Sequence, residues 1–236
     1  MTKDFDFTTG SISKKILLFS LPLMAGNIFQ QLYNVVDTLV VGRFLGEAPL
    51  AAVGSAYTLM IFLTSILIGL TMGSGVYFSI CFGGKNEHLM KQSIYISFLA
   101  IGSVSLVLNG LSYVFLEEIT QYMQIPADVV PYFKDYLYWI YAGIVAVFLY
   151  NYAAALLRAV GNAMVPLYFL ILSSLMNIGL DILFVLQFHW GVVGAAQATV
   201  IAQYTSGIGI LLYFLCFRKD LLLSSADCHW DNAIFR

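Results

Sequence analysis

Six long apolar runs constrain this chain more than any other feature. They span about Ile16–Gly42, Leu50–Phe82, Gln92–Leu116, Tyr132–Leu157, Ala163–Leu186 and Gly191–Phe217. Each reaches the roughly 20 residues a helix needs to cross the hydrocarbon of a bilayer. Only helices and closed barrels satisfy the backbone there, and runs of this length are helical. The expected fold is an all-α membrane protein with six transmembrane helices.

Composition agrees: 60% of residues are hydrophobic and 10% charged, where soluble domains carry about 25% charged residues. A net charge of −2 gives no basic surface for nucleic acid. Cys81, Cys216 and Cys228 have no metal or redox spacing. The first apolar run is too long for a signal peptide and lacks a small-x-small cleavage site, so the N-terminus is expected to stay attached. With six crossings both ends share a side. That side holds Lys3, Lys14, Lys15, Lys85, Lys91, Arg158, Arg218, Lys219 and Arg236, against Arg43 and Lys134 opposite. The asymmetry predicts a cell (cytoplasmic) membrane protein with both termini in the cytoplasm. Residues 1–15 are read as a cytoplasmic segment, 16–217 as the helical unit and 218–236 as a cytoplasmic tail or linker.

Polar residues inside the oil locate the chemistry. In the first segment Asn27, Gln31, Asn34 and Asp37 fall at helical spacing. A carboxylate at bilayer depth costs about 2.5–3.5 kcal/mol on insertion scales. No Lys or Arg between Ile16 and Gly42 offsets that cost, so the seam must face protein or water. Pro22 lies below it and permits a kink, read as a static bend or a hinge. The fifth segment presents Ser174, Asn177 and Asp181, and the sixth Thr199, Gln203 and Ser206. Asp37 and Asp181 each precede the end of an outward crossing, which places them at similar depth. Thr199, two turns into the returning segment, approaches the same level. Two carboxylates without a basic partner are protonated, bridged by a cation or solvated in a cavity. A carboxylate free to change its proton suits a proton carrier. The pair with the oxygens of Asn177 and Thr199 also suits Na⁺, since hard cations favour such donors. The plainer alternative is a hydrogen-bond network that only holds helices together.

Other features read structurally. Gly69 and Gly73 form a small-xxx-small pair suited to close helix packing. The third segment carries no evident chemistry. Residues 117–131 read as a turn region, with Pro126 and Pro131. Tyr136, Tyr138 and Tyr141 read as interfacial belt residues, and Thr8, Thr9, Ser11 and Ser13 as helix caps.

Several stretches together resemble the N-terminal half of the multidrug and toxic compound extrusion (MATE) transporters. They are QQLYNVVDTLVVGRFLG (Gln30–Gly46), the Gly-rich Gly69–Gly84, LLRAVGNAMVPLY (Leu156–Tyr168), NIGLDILF (Asn177–Phe184) and GVVGAAQATVIAQ (Gly191–Gln203). The resemblance covers all six segments in order. It implies one six-helix lobe of a twelve-helix fold whose two lobes are related by pseudo-twofold symmetry. It implies a cation-coupled antiporter, driven by H⁺ or Na⁺ and exporting amphipathic or cationic compounds, with no cofactor and no enzymatic activity. Carried over by motif, the cation ligands would be Asp37, Asn177, Asp181 and Thr199. Gln31, Asn34, Tyr136, Asn151 and Gln203 would line the cavity, and Pro22 would be the hinge. The expected partners are a small-molecule substrate, membrane lipid and a second lobe absent from this chain. The rivals are a lipid-linked-intermediate flippase, an intramembrane aspartyl protease and an inactive truncated fragment. The flippase is disfavoured because no intramembrane Lys or Arg is present to hold phosphate. The protease is disfavoured because Gly-x-Gly-Asp is missing before Asp181.

Overall fold

The computed structural model describes residues 11–218 and Leu221. Among them the chain is helical and contains no strand. The helices are α1 (Ile12–Phe44), α2 (Glu47–Gly83), α3 (Glu87–Val114), α4 (Leu116–Tyr122), α5 (Val130–Tyr141), α6 (Gly143–Ala159), α7 (Met164–Asp181) and α8 (Gly191–Phe217). A π-helical turn, Ile182–Gln187, extends α7. Five of these units are long and apolar enough to cross a membrane: α1, α2, α3, α7 with its π turn, and α8. A sixth crossing is made by α5 and α6, which meet at a 42° bend. The fold is a six-span helical bundle.

Packing centres on α8, which lies against α5, α6 and α7, while α2 packs on α6 and α1 on α7. Small residues set the separations. Ala195, Ala196 and Ala198 of α8 are fully buried. A Cβ placed on Gly207 would lie 3.1 Å from the Ala146 carbonyl, and one on Gly75 3.2 Å from Ala155 Cβ. In lipid there is little hydrophobic drive between helices, so such close backbone approach supplies the attraction. Leu17, Leu21, Met24, Ile28, Leu32, Val35 and Leu39 recur at helical spacing on α1 and are all exposed.

Several expectations change. Gly69 and Gly73 meet nothing within 4 Å, and the tight contact of α2 is made by Gly75 instead. The region 117–131 is not all turn, because α4 occupies its first part. Tyr136 and Tyr141 are buried, and of the three belt tyrosines only Tyr138 is exposed. Ser11 stands at the N-cap of α1 without a side-chain capping bond, and Ser13 lies inside the helix. Thr8 and Thr9 lie outside the described residues, as do most of the two terminal segments. Asn86 does cap α3, its side chain accepting from Leu89 N–H at 3.1 Å. Asn86→Ala is therefore expected to destabilise the bundle by about 1 kcal/mol, read as a lowered midpoint of thermal unfolding in detergent.

The fourth segment, read as continuous, breaks at Ala142. Ala142 N–H returns to the Trp139 carbonyl at 3.1 Å, a tighter turn than α. Three carbonyls near the break take donors from other helices. Tyr113 OH donates to Tyr138 O at 2.8 Å, Asn109 Nδ2 to Tyr141 O at 2.5 Å and Tyr204 OH to Ala142 O at 2.9 Å. Non-helical backbone at membrane depth is tolerated where protein satisfies it in this way.

Candidate functional site

The site is assembled where α1, α7 and α8 meet beneath α5. Asn177 and Asp181 stand one turn apart on α7 and so share a face. Asn177 Nδ2 donates to Thr199 Oγ1 of α8 at 3.2 Å. Asp37 enters from α1, close enough to Asp181 for the two charges to interact. Tyr33 of α1 and Tyr136 of α5 lie within electrostatic reach of both carboxylates. Asp181 is fully buried, Asn177 is 1% exposed, and Asp37 and Thr199 are each 8% exposed. No Lys or Arg among the described residues lies against either carboxylate.

The hydrogen-bond balance is one-sided. Asp37 Oδ1, Asn177 Oδ1 and both carboxylate oxygens of Asp181 are buried without a partner. Every one is an acceptor. A buried polar atom left unmatched costs about 1–3 kcal/mol, and more acceptors cannot relieve it. A proton or a hard cation can. No group of three or more His, Cys, Asp or Glu is gathered among the described residues, so the donor set is not one that selects a transition metal. Two carboxylates with neutral amide and hydroxyl oxygens fit Na⁺ or H⁺. Beside them lies a cavity of about 20 Å³ between Tyr33, Ser173, Ser174, Asn177, Thr199 and Gln203. That is room for one water-sized occupant.

The fold thus brings together Asp37, Asn177, Asp181, Thr199, Tyr136 and Gln203. Four other candidates stand apart. Asn34 Nδ2 donates to Gln31 Oε1 at 3.2 Å on the open side of α1. Asn151 turns back on its own helix and donates to Val147 O at 2.8 Å. Pro22 sits within α1, which runs unbroken from Ile12 to Phe44. Sequence reasoning missed Tyr33 and Ser173. Tyr33 is one turn before Asp37, a spacing that was readable, but its ring counted as apolar. Ser173 Oγ donates to the Ala202 carbonyl at 2.9 Å and pins α7 to α8.

The geometry is that of a polytopic helical membrane protein with a buried carboxylate pair, and comparison with known proteins gives its family. The family model described as MatE matches residues 22–183, and the chain belongs to that family. It is 28% identical over 213 residues to the probable multidrug resistance protein YpnP of Bacillus subtilis, covering 90% of this chain and 48% of that protein. It is 28% identical to the multidrug export protein MepA of Staphylococcus haemolyticus, covering 93% and 48%. To the probable multidrug resistance protein NorM of Thermotoga maritima it is again 28% identical, covering 90% and 46%. The chain thus spans about half the length of the curated relatives it matches. Among solved structures it superposes on a MATE transporter in complex with MaL6 with a TM-score of 0.86 at 25% identity, covering 100% of this chain and 52% of that one. An outward-facing multidrug resistance MATE transporter gives a TM-score of 0.88 at 24% identity, covering 96% and 50%.

Proposed function

We propose that this chain is the cation-binding N-lobe of an antiporter that uses inward H⁺ or Na⁺ to export amphipathic, often cationic, compounds. The observation that carries the reading is the buried set of unpartnered acceptors on Asp37, Asn177 and Asp181, with no basic residue among the described ones against the carboxylates. The names of YpnP, MepA and NorM support multidrug export. Asp37 and Asp181 would hold the cation, Asn177 and Thr199 would complete its shell, and Tyr136 and Gln203 would close the cavity beside it. Gln31 and Asn34 would face the compound from the open side of α1, with Asn151 a more distant polar contact. Pro22 would let α1 bend.

Alternating access would be a rocking of this lobe against a second one about a midplane cavity. Coupling requires that the cation bind one state more tightly than the other. The lysine and arginine bias supports a cytoplasmic-membrane location with both termini inside. Residues 16–217 would form the lobe, 1–15 the cytoplasmic lead and 218–236 the linker, with membrane lipid around the apolar faces.

The test is export of a cationic dye by the two-lobe protein carrying this lobe, in vesicles energised with a Na⁺ or H⁺ gradient. Asp37→Asn and Asp181→Asn are each expected to abolish gradient-driven export. Undiminished export by both variants would reject the assignment.

A further inference from the structure

The turn that joins α6 to α7 is enclosed. From Tyr152 to Pro166 only Arg158, Ala159 and Met164 reach the surface. The turn satisfies its own backbone. Leu156 O accepts from Val160 N–H at 3.3 Å, Leu157 O from Asn162 N–H at 2.8 Å and Arg158 O from Gly161 N–H at 3.0 Å. Gly161 has a φ of 86°, the left-handed residue of a Schellman-type ending. Asn162 is buried, and its Oδ1 accepts from Val165 N–H at 3.2 Å.

Arg158 is left over from this arrangement. Its side chain is half-buried. Among the described residues no Asp or Glu pairs with it, and nothing hydrogen-bonds its guanidinium. Tyr150, two turns earlier on α6, lies within electrostatic reach. Its proton goes to the Pro166 carbonyl at 3.1 Å, so it offers a neutral oxygen and no counter-charge. The dipole of α6 favours a cation in its last turn. Yet three of the last four carbonyls are already taken, and a guanidinium carries five N–H donors. A charge drawn partly out of water is costly unless it is paired and hydrogen-bonded. None of the guanidinium nitrogens is sealed in, so a group arriving from outside can meet them.

Met164, across the turn, opens a stripe on α7. Tyr168, Leu172 and Leu175 follow it at helical spacing and are exposed. We propose that Arg158 holds the phosphate group of an anionic phospholipid whose acyl chain lies along Met164, Tyr168, Leu172 and Leu175. The guanidinium fork matches two phosphate oxygens. The lysine and arginine bias puts this end of the bundle at the cytoplasmic leaflet. That leaflet carries anionic lipid, and basic pockets between helices there bind such headgroups. Inorganic phosphate presents the same oxygens but has nothing to lay on the apolar stripe. The site is independent of the carboxylate pair.

The experiment is thermal unfolding of the purified full chain in a non-ionic detergent, with phosphatidylglycerol, phosphatidylcholine or inorganic phosphate added. Phosphatidylglycerol at about ten times its dissociation constant is expected to raise the midpoint by about 3–6 °C. Phosphatidylcholine, whose own ammonium offsets its phosphate, should give far less, and so should inorganic phosphate. Arg158→Gln should abolish the phosphatidylglycerol shift. Arg158→Lys, which keeps the charge and loses the fork, should keep part of it. Lys85→Gln, exposed at the same end of the bundle, should keep it whole. Without lipid, Arg158→Gln should melt no lower than the unaltered chain, because the charge it removes has no partner in the protein.

An equal phosphatidylglycerol shift in Arg158→Gln and the unaltered chain overturns the proposal, as does no shift in either. A lower lipid-free midpoint for Arg158→Gln also overturns it, since the guanidinium would then be paired inside the protein. Equal shifts from phosphatidylglycerol and phosphatidylcholine would remove the selection for anionic lipid. A shift from inorganic phosphate as large as that from phosphatidylglycerol would overturn the lipid and leave a soluble anion at Arg158.

Discussion

Asp181→Asn is expected to raise the thermal unfolding midpoint of the cation-free lobe and to make it indifferent to added Na⁺. Both carboxylate oxygens of Asp181 are buried and unpartnered, and the side chain is fully enclosed. An uncompensated buried charge is among the largest single costs a fold can carry, commonly several kcal/mol. Where the carboxyl is ionised the amide removes the charge, and in either state it brings an NH₂ group to a cluster that holds unmatched acceptors on Asn177 and Asp37. A gain of about 2 kcal/mol would shift the midpoint by about 4–8 °C for a chain of this size. In the unaltered lobe the same stabilisation should come from a bound cation, about 2.7 kcal/mol at a concentration one hundred times the dissociation constant. The check is a pair of melting curves in Na⁺ and in choline for both proteins. A Na⁺ stabilisation of equal, non-zero size in the two would show that Na⁺ acts elsewhere, and none in either would leave H⁺ as the ion. Asp37→Asn should behave alike with a smaller gain, since only one of its oxygens is buried and unmatched.

The second large effect is expected at Gly194, in the first turn of α8. A Cβ there would lie 3.0 Å from Phe184 Cβ, 3.1 Å from Trp190 Cβ and 3.2 Å from the Phe184 carbonyl carbon. One of the three is backbone, so the contact cannot be relieved by turning a side chain. Gly194→Val adds two further methyl groups. Overpacking of this kind costs about 1–3 kcal/mol. The strain falls on Phe184, within the π turn that follows Asp181. The variant should therefore melt lower and bind the cation more weakly. Gly110→Ala is the matched control, because nothing lies within 4 Å of a Cβ there. It should be neutral or stabilising by about 1 kcal/mol, the helix propensity gained. If the two variants melt together, the packing described for Gly194 is wrong.

Much of the bundle was legible because hydrophobic length is a local property. The six spans follow from runs that need no knowledge of their neighbours. The pairing of Asp37 with Asp181 was also readable, since depth follows from counting turns along two outward crossings. The break at Ala142 was not. Nothing in Tyr141-Ala142-Gly143 demands it, and the donors that satisfy it come from Asn109, Tyr113 and Tyr204, far away in sequence. For the same reason Asn109 and Tyr113 gave no signal in a helix that looked purely apolar. Gly69 and Gly73 had the right spacing for a contact, but spacing says nothing about which face of α2 meets α6. Asn151 carried the right chemistry for a lining residue, and its own helix took its donor.

The π turn at Ile182–Gln187 has a consequence for how this lobe tolerates changes in chain length. A π turn holds one residue more than the α-helical path over the same distance, and each residue advances a helix by about 100°. Losing one residue there would convert the turn to ordinary helix. Met164–Asp181 would keep its register, and the residues beyond would stay where they are, because the turn had absorbed the extra one. Insertion or deletion anywhere inside α7 would instead carry Asp181 away from Asp37. The lobe thus has one splice point next to its carboxylates where the residue count can drift without turning either of them.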